Sequence, residues 1–199
     1  MEIYLIRHGK TAGNGEGRYI GTTDEPLCPA GIEELNTRWQ AGLPEAEIVY
    51  TSDLIRTRQT AVLLFPDAEK RVRTGLRETD FGAFEGKNYQ ELNGRADYQA
   101  WIDAAAEAAP PGGEAREAFT ERTREAFEAA VKELYSGKTG RAAFVVHGGS
   151  IMAILSSYGD PAGSFYDWQA KNGCGFLVHL DEAAWQAGEK KLTNIRSIP

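Results

Sequence analysis

The chain has 199 residues, 42% of them hydrophobic, and a formal net charge of −7. That length suits one large domain whose core needs no staples, and the acidic balance without any Lys/Arg run speaks against a nucleic-acid partner. No apolar stretch approaches the ~20 residues a membrane helix needs, and no basic segment followed by an apolar run opens the chain.

The first predicted element is a buried strand over residues 2–7, closed by Arg7-His8-Gly9. A polar, glycine-rich loop follows to residue 24. Pro29-Ala30-Gly31 leads into a helix with Ile32, Leu35 and Trp39 on one face. Residues 47–51 form a short strand. Ser52 or Asp53 is expected to cap the next helix, over 54–64, which stops before Pro66. Residues 71–73 suggest an edge strand.

Residues 76–113 break the alternation, with Gly82, Gly86 and Gly94, an alanine-rich helix near Trp101, and Pro110-Pro111-Gly112-Gly113. A long helix over 114–135 carries Phe119, Phe127, Val131 and Leu134 as its apolar stripe. A strand over 141–146 ends at His147-Gly148-Gly149, and a helix over 149–158 comes next. Strands over 176–180 and 192–195 close the chain. The expected fold is α/β: one domain over 1–199, a three-layer α/β/α sandwich with a mostly parallel central sheet, and a helical lid insertion at 87–113.

The chain has three histidines, and two of them, His8 and His147, end an apolar run just before a glycine. Ligands of open α/β sheets bind at the carboxyl ends of strands, so both imidazoles fall where a site would form, with the Arg7 cation beside one. A lone histidine at a strand end is more often a structural hydrogen-bonder, and it is the pairing that favours chemistry. His179, in an apparent strand with no partner motif, reads as structural. Cys28 and Cys174 lie far apart and outside any CxxC pair, which points to unpaired thiols and a cytoplasmic protein. No set of residues has the spacing of metal ligands, so no metal and no cofactor is expected.

Arg7-His8-Gly9-Lys10-Thr11, with Asn14 three residues on, resembles the signature of the histidine phosphatase superfamily, the phosphoglycerate mutase-like enzymes. Three further segments agree in kind and order: Ser52-Asp53-Leu54-Ile55-Arg56-Thr57, Leu76-Arg77-Glu78-Thr79, and Val145-Val146-His147-Gly148. The resemblance implies that His8 is the nucleophile and becomes phosphohistidine, while Arg7 and Arg56 hold the equatorial oxygens and His147, if protonated, adds a third donor. Glu78 would serve as general acid and then as base. Asn14 and the backbone amides of Gly21 and Gly148 would complete the phosphate cradle. Each role has a chemical reason. Forked guanidiniums match a phosphoryl group whose three oxygens carry charge, and a covalent intermediate divides one hard transfer into two easier ones. Glu85, between Phe84 and Gly86, reads instead as a loop anchor, and Lys10 and Arg58 as added positive potential.

The chain lacks room for the insertion and tail of the family's cofactor-dependent mutases, which favours a phosphatase. The loop from Arg18 to Leu27 and the Pro110-Pro111-Gly112-Gly113-Glu114 segment resemble those of α-ribazole phosphatases, though Ala115 stands where a Ser is common there. The expected partner is thus a small phosphate ester, α-ribazole 5′-phosphate first, with Tyr89, Tyr98 and Trp101 able to stack on its flat base. The alternatives are a mutase, a broad-specificity phosphatase, or a phosphate-binding protein without turnover.

Overall fold

A computed structural model describes residues 1–42, 44–137 and 139–199. The strands are β1 (Glu2–Arg7), β2 (Ile48–Thr51), β3 (Glu69–Val72), β4 (Arg141–Val146), β5 (Gly175–Leu180) and β6 (Leu192–Ile198). The helices are α1 (Ala12–Gly15), α2 (Pro29–Arg38), α3 (Ile55–Leu64), α4 (Tyr89–Leu92), α5 (Ala96–Asp103), α6 (Arg116–Gly137), α7 (Gly148–Tyr158) and α8 (Glu182–Gln186). The strands form one sheet in the order β3-β2-β4-β1-β5-β6. The first four run parallel, and β5 and β6 add two antiparallel pairings at one side. This is the mostly parallel sheet that the alternating pattern predicts.

The apolar runs of β1, β2 and β4 are continuous because both faces of those strands are buried. Along β4, Ala142, Phe144 and Val146 enter one apolar cluster, and Ala143 and Val145 enter the other. In β2, Ile48 and Tyr50 face one way and Val49 the other. The first cluster takes in α6 and α7 through Phe127, Leu134, Ile151 and Ile154. The second takes in Leu35 from α2 and Ala61 and Leu64 from α3. Each fully buried Leu, Ile or Phe contributes about 2 kcal/mol relative to exposure. Helices of ten residues, such as α2 and α3, are marginal alone, so this packing holds them. The outcome is the expected three-layer α/β/α arrangement.

Several details differ from expectation. The strand at the sheet edge runs Glu69–Val72, shifted from 71–73, and the last strand extends to Ile198. The short helices α1 and α8 and the 3-10 turn Phe165–Trp168 have too little apolar periodicity to be read from sequence. Neither Ser52 nor Asp53 caps α3, whose N-cap is Leu54 with no side-chain cap. Asp24 accepts the Ile55 amide hydrogen bond instead, at 2.6 Å. Asp53 is occupied by a bidentate pair with Arg77, and Ser52 is turned into the interior. Cys28 is an unpaired thiol whose sulfur accepts from the Gly31 amide at the N-terminus of α2.

Residues 76–115 leave the sheet. They form the 3-10 turn Gly82–Phe84, then α4 and α5. Phe84, Leu92, Tyr98 and Trp101 make a third, separate apolar cluster over the carboxyl end of the sheet.

Candidate active site

Neighbouring parallel strands β1 and β4 end together, with Arg7 opposite Val146, and the next residues are His8 and His147. The His8 amide donates to the Val146 carbonyl at 2.9 Å, which ties the two strand ends together. The two imidazole rings stand 5.2 Å apart, centre to centre, at 64°.

His8 is 3% exposed. Its Nδ1 lies 2.7 Å from the Gly9 carbonyl. A carbonyl can only accept, so Nδ1 carries the proton and Nε2 presents a lone pair. Burial, then the charges of Arg56 and Arg7, push its pKa well below the ordinary imidazole value. The neutral ring that a nucleophile requires is therefore the favoured state.

Three positively polarised groups converge here. Arg7 donates from Nη1 to the Ala170 carbonyl at 2.9 Å. Arg56 is fully buried on α3 and donates to the carbonyls of Thr23 and Gly21, each at 2.7 Å. His147 is fully buried, with Nε2 2.9 Å from the Ser52 hydroxyl. Among the described residues, Arg7 Nε, Arg56 Nε and His147 Nδ1 are buried without a hydrogen-bond partner. An unmade hydrogen bond of this kind costs about 1–3 kcal/mol. Three at one site mark a place shaped for an acceptor that the protein itself does not supply. Desolvation, led by burial, lowers the pKa of both arginines and of His147, with Arg56, His8, Arg7 and Arg122 adding to the effect on His147. Burial and these cations therefore favour a neutral His147 ring in the site without a bound anion.

Glu78 accepts from the Thr79 amide at 2.9 Å and from the Gly149 amide, at the start of α7, at 3.0 Å. A Cβ on residue 149 would stand 2.2 Å from Glu78 Oε1, so only glycine admits the carboxylate there. Gly148 lies against Arg7, within 3.5 Å of its guanidinium for a built Cβ.

One expected cradle member, Gly21, is placed otherwise. The Gly21 amide does not face the site, because it donates to both oxygens of Glu85 at 3.0 and 3.1 Å. Glu85 also accepts from Thr22, Thr23 and Phe81, and so is the loop anchor that its position predicts. Gly21 contributes its carbonyl, as a prop for Arg56. Asn14 holds its own helix in a capping box with Thr11, and its Oδ1 also accepts from Asn172 at 3.0 Å. Lys10 pairs with Glu34 at the surface rather than with the site.

A cavity of about 500 Å³ opens onto this cluster, with Arg7, Glu78, Gly148 and Gly149 in its wall. His8, Arg56 and His147 are not part of that wall. The rest of the wall is largely apolar, with Phe81 and Trp101 on the lid side and Met152, Phe165 and Tyr166 across from them. The three aromatics expected to stack are divided by the structure. Trp101 lines the cavity, Tyr98 is buried with its hydroxyl 2.8 Å from that of Tyr19, and Tyr89 is 60% exposed and away from the cavity. Phe165 and Tyr166, unflagged in the sequence, complete the wall, and the Arg116 guanidinium lies over both rings. Ser52, Asn172 and Arg122 were also missed as neighbours of the site, because each reaches it from a distant segment.

Among the described residues no cluster of His, Cys, Asp and Glu could hold a metal ion, and no helix is long and apolar enough to cross a membrane. Comparison with known proteins gives one answer for the family and two names for the activity of its members. Residues 3–192 match the sequence model of the histidine phosphatase superfamily, branch 1. The adenosylcobalamin/alpha-ribazole phosphatase of Escherichia coli K12 is 29% identical over 188 residues, covering 92% of this chain and 91% of the relative. A probable phosphoglycerate mutase of Klebsiella pneumoniae is 29% identical over 198 residues, covering 94% and 88%. The crystal structure of the alpha-ribazole phosphatase of Shigella flexneri superposes with a TM-score of 0.80 at 25% identity, over 100% of this chain and 96% of that one. The chain belongs to the histidine phosphatase superfamily and is a phosphatase of that family.

Proposed function

We propose that the protein hydrolyses a phosphomonoester through a phosphohistidine on His8, and that the ester is α-ribazole 5′-phosphate. The observation that carries the reaction is the set of three buried nitrogens without a partner among the described residues, Arg7 Nε, Arg56 Nε and His147 Nδ1, around a His8 whose tautomer is fixed by the Gly9 carbonyl. They offer three contacts to a phosphoryl group whose three oxygens carry charge in the transition state. His8 Nε2 attacks phosphorus, and Glu78 gives its proton to the leaving alkoxide. Glu78 then takes a proton from the water that attacks the phosphohistidine, releasing inorganic phosphate and restoring His8. Gly148, at the N-terminal end of the eleven-residue α7, adds an amide pointed toward the anion. Residues 87–113 act as a lid over the single domain.

The alcohol half of the substrate is read from the cavity. Its wall is mostly apolar and aromatic, which suits a flat, uncharged base and ribose. Arg116 is the cation in that outer wall, and it is engaged with the carbonyls of Ala105 and Ala106. A phosphoglycerate, with its additional carboxylate, would ask for free cations there, so the mutase reading is disfavoured. The names of relatives in Escherichia coli and Shigella flexneri support the ribazole ester.

The test is phosphate release from α-ribazole 5′-phosphate beside sugar phosphates and phosphoglycerates, with EDTA present. The expected result is a kcat/KM preference for the ribazole ester, unaffected by EDTA, with an acid-labile phosphoryl label on His8. Equal weak rates across the panel would remove the ribazole assignment. Loss of activity in EDTA would remove the metal-free mechanism, and isomerised phosphoglycerate without phosphate release would remove the hydrolase reading.

A further inference from the structure

Ser52 is fully buried at the end of β2, and its hydroxyl is 2.9 Å from His147 Nε2 and 3.0 Å from the Thr57 hydroxyl. It also accepts from the Leu54 amide at 3.3 Å. The position belongs to none of the groups that grip phosphate or move its protons. We infer that Ser52 is a positioning residue: it donates to His147 Nε2 and thereby puts the ring's one proton on Nδ1, facing the phosphoryl group. This rests on the phosphatase reading for what the proton is used for, but not for where it sits.

The argument is a count of hydrogens. Thr57 has one hydroxyl hydrogen, and the Leu54 carbonyl, at 2.8 Å, is its nearest acceptor. The Ser52 hydrogen is then left with two acceptors, the Thr57 oxygen and His147 Nε2. The imidazole nitrogen is the nearer and the more basic of the two. If Ser52 donates there, Nε2 must carry a lone pair, and a neutral ring keeps its hydrogen at Nδ1. That nitrogen is buried and has no protein partner among the described residues. The opposite tautomer would aim a lone pair at an anion, a repulsive arrangement. Burial together with the charges of Arg56, His8, Arg7 and Arg122 disfavours a cationic ring, so the choice of tautomer is not made moot by protonation at both nitrogens. The arrangement also mirrors His8, whose tautomer is set by a backbone carbonyl rather than by a hydroxyl.

Nitrogen-15 NMR of the histidine rings tests this at pH 7.5, in the free protein and with saturating inorganic phosphate, with His8→Asn and His179→Gln used to assign the signals. The expected result is a neutral His147 protonated at Nδ1 in both states, and loss of that fixed tautomer in Ser52→Ala. In parallel, Ser52→Ala should lower kcat/KM for p-nitrophenyl phosphate about 10- to 100-fold, the worth of one hydrogen bond to a charged group. A wild-type ring protonated at Nε2, or at both nitrogens, overturns the inference and needs no variant to fold. So does a Ser52→Ala protein with an unchanged tautomer and kcat/KM within twofold of wild type. Failure of the wild-type protein to hydrolyse any ester would instead count against the phosphatase reading, while the ring signals would still decide the role of Ser52.

Discussion

The floor of the cavity and its lid are built on opposite plans. The floor is made where β1 and β4 end, and most of its reactive side chains are held by backbone: His8 by the Gly9 carbonyl, Arg7 by that of Ala170, Arg56 by those of Gly21 and Thr23, with His147 held instead by the Ser52 hydroxyl. The lid has no strand. It is two short helices around their own cluster of Phe84, Leu92, Tyr98 and Trp101, joined to the loop below by the Tyr19–Tyr98 hydroxyl pair. On the proposed function, one region presents fixed charge to phosphorus and the other presents apolar area to the alcohol. Reaction type and substrate choice are therefore carried by different residues and should fail separately.

The largest effects belong to the floor. His8→Asn should cut kcat by about 10⁴-fold or more, since loss of a nucleophile removes the covalent route altogether. It should do so equally for p-nitrophenyl phosphate and for a ribazole ester. A loss confined to one ester would break the division between floor and lid. Glu78→Gln comes next, with a fall of about 10²- to 10⁴-fold for a poor leaving group. The fall should be smaller for p-nitrophenolate, which leaves with little need of a proton. Equal losses for the two esters would take the acid role from Glu78.

How far this was legible beforehand follows the same line. The two-sided burial of β1 and β4 prints unbroken apolar runs, so the strands, and with them the neighbourhood of His8 and His147, can be read from sequence. The pattern does not carry the direction of a donor. Gly21 sits in the expected loop, yet its amide is taken by Glu85 from 64 residues away and only its carbonyl serves Arg56. Ser52 looks like a helix cap because its nearest amides lie just ahead, while its partner His147 is 95 residues on. In α5, Tyr98 and Trp101 are both aromatic and three apart. Sequence alone offers no way to tell which faces the lid's own core and which faces the cavity.

Acid should destabilise the floor before the lid. The pKa values of His8 and His147 are both pushed well below 6.5 by burial. In the unfolded chain the two imidazoles bind protons as pH falls through about 6.5, while in the folded chain they stay neutral. The unfolded state then holds more protons, so stability drops as pH falls from 6.5 toward the folded values, and the two residues contribute no slope above 6.5. The expected slope is on the order of 1 kcal/mol per pH unit for each ring, read as the urea midpoint between pH 7.5 and 5.5. The partnered carboxylates Asp53, Asp97 and Glu133 have pKa values lowered from the ordinary acid range, so they titrate below this window. A midpoint that is flat between pH 7.5 and 5.5 would mean that the two rings are not held neutral.

The smallest effects belong to the lid and its facing wall, and they test whether that region is separable. Phe165→Ala should raise KM for the ribazole ester up to about 10-fold, the scale of one aromatic contact, and leave p-nitrophenyl phosphate kcat alone. Tyr98→Phe asks less still. It removes the hydroxyl that meets Tyr19 at 2.8 Å, and Tyr98 is not itself in the cavity wall, although its partner Tyr19 is. Tyr19 is only half-buried, so its hydroxyl can turn to water and the cost should be about 1 kcal/mol, a melting shift of roughly 2–4 °C. Because no floor residue is bonded to Tyr98, kcat for a small ester should stay within twofold of wild type, as judged by steady-state assay beside the melt. A tenfold fall in that kcat would show that the lid's packing sets the geometry of the phosphoryl site. The two regions would then be one cooperative unit rather than a fixed centre under a separately built cover.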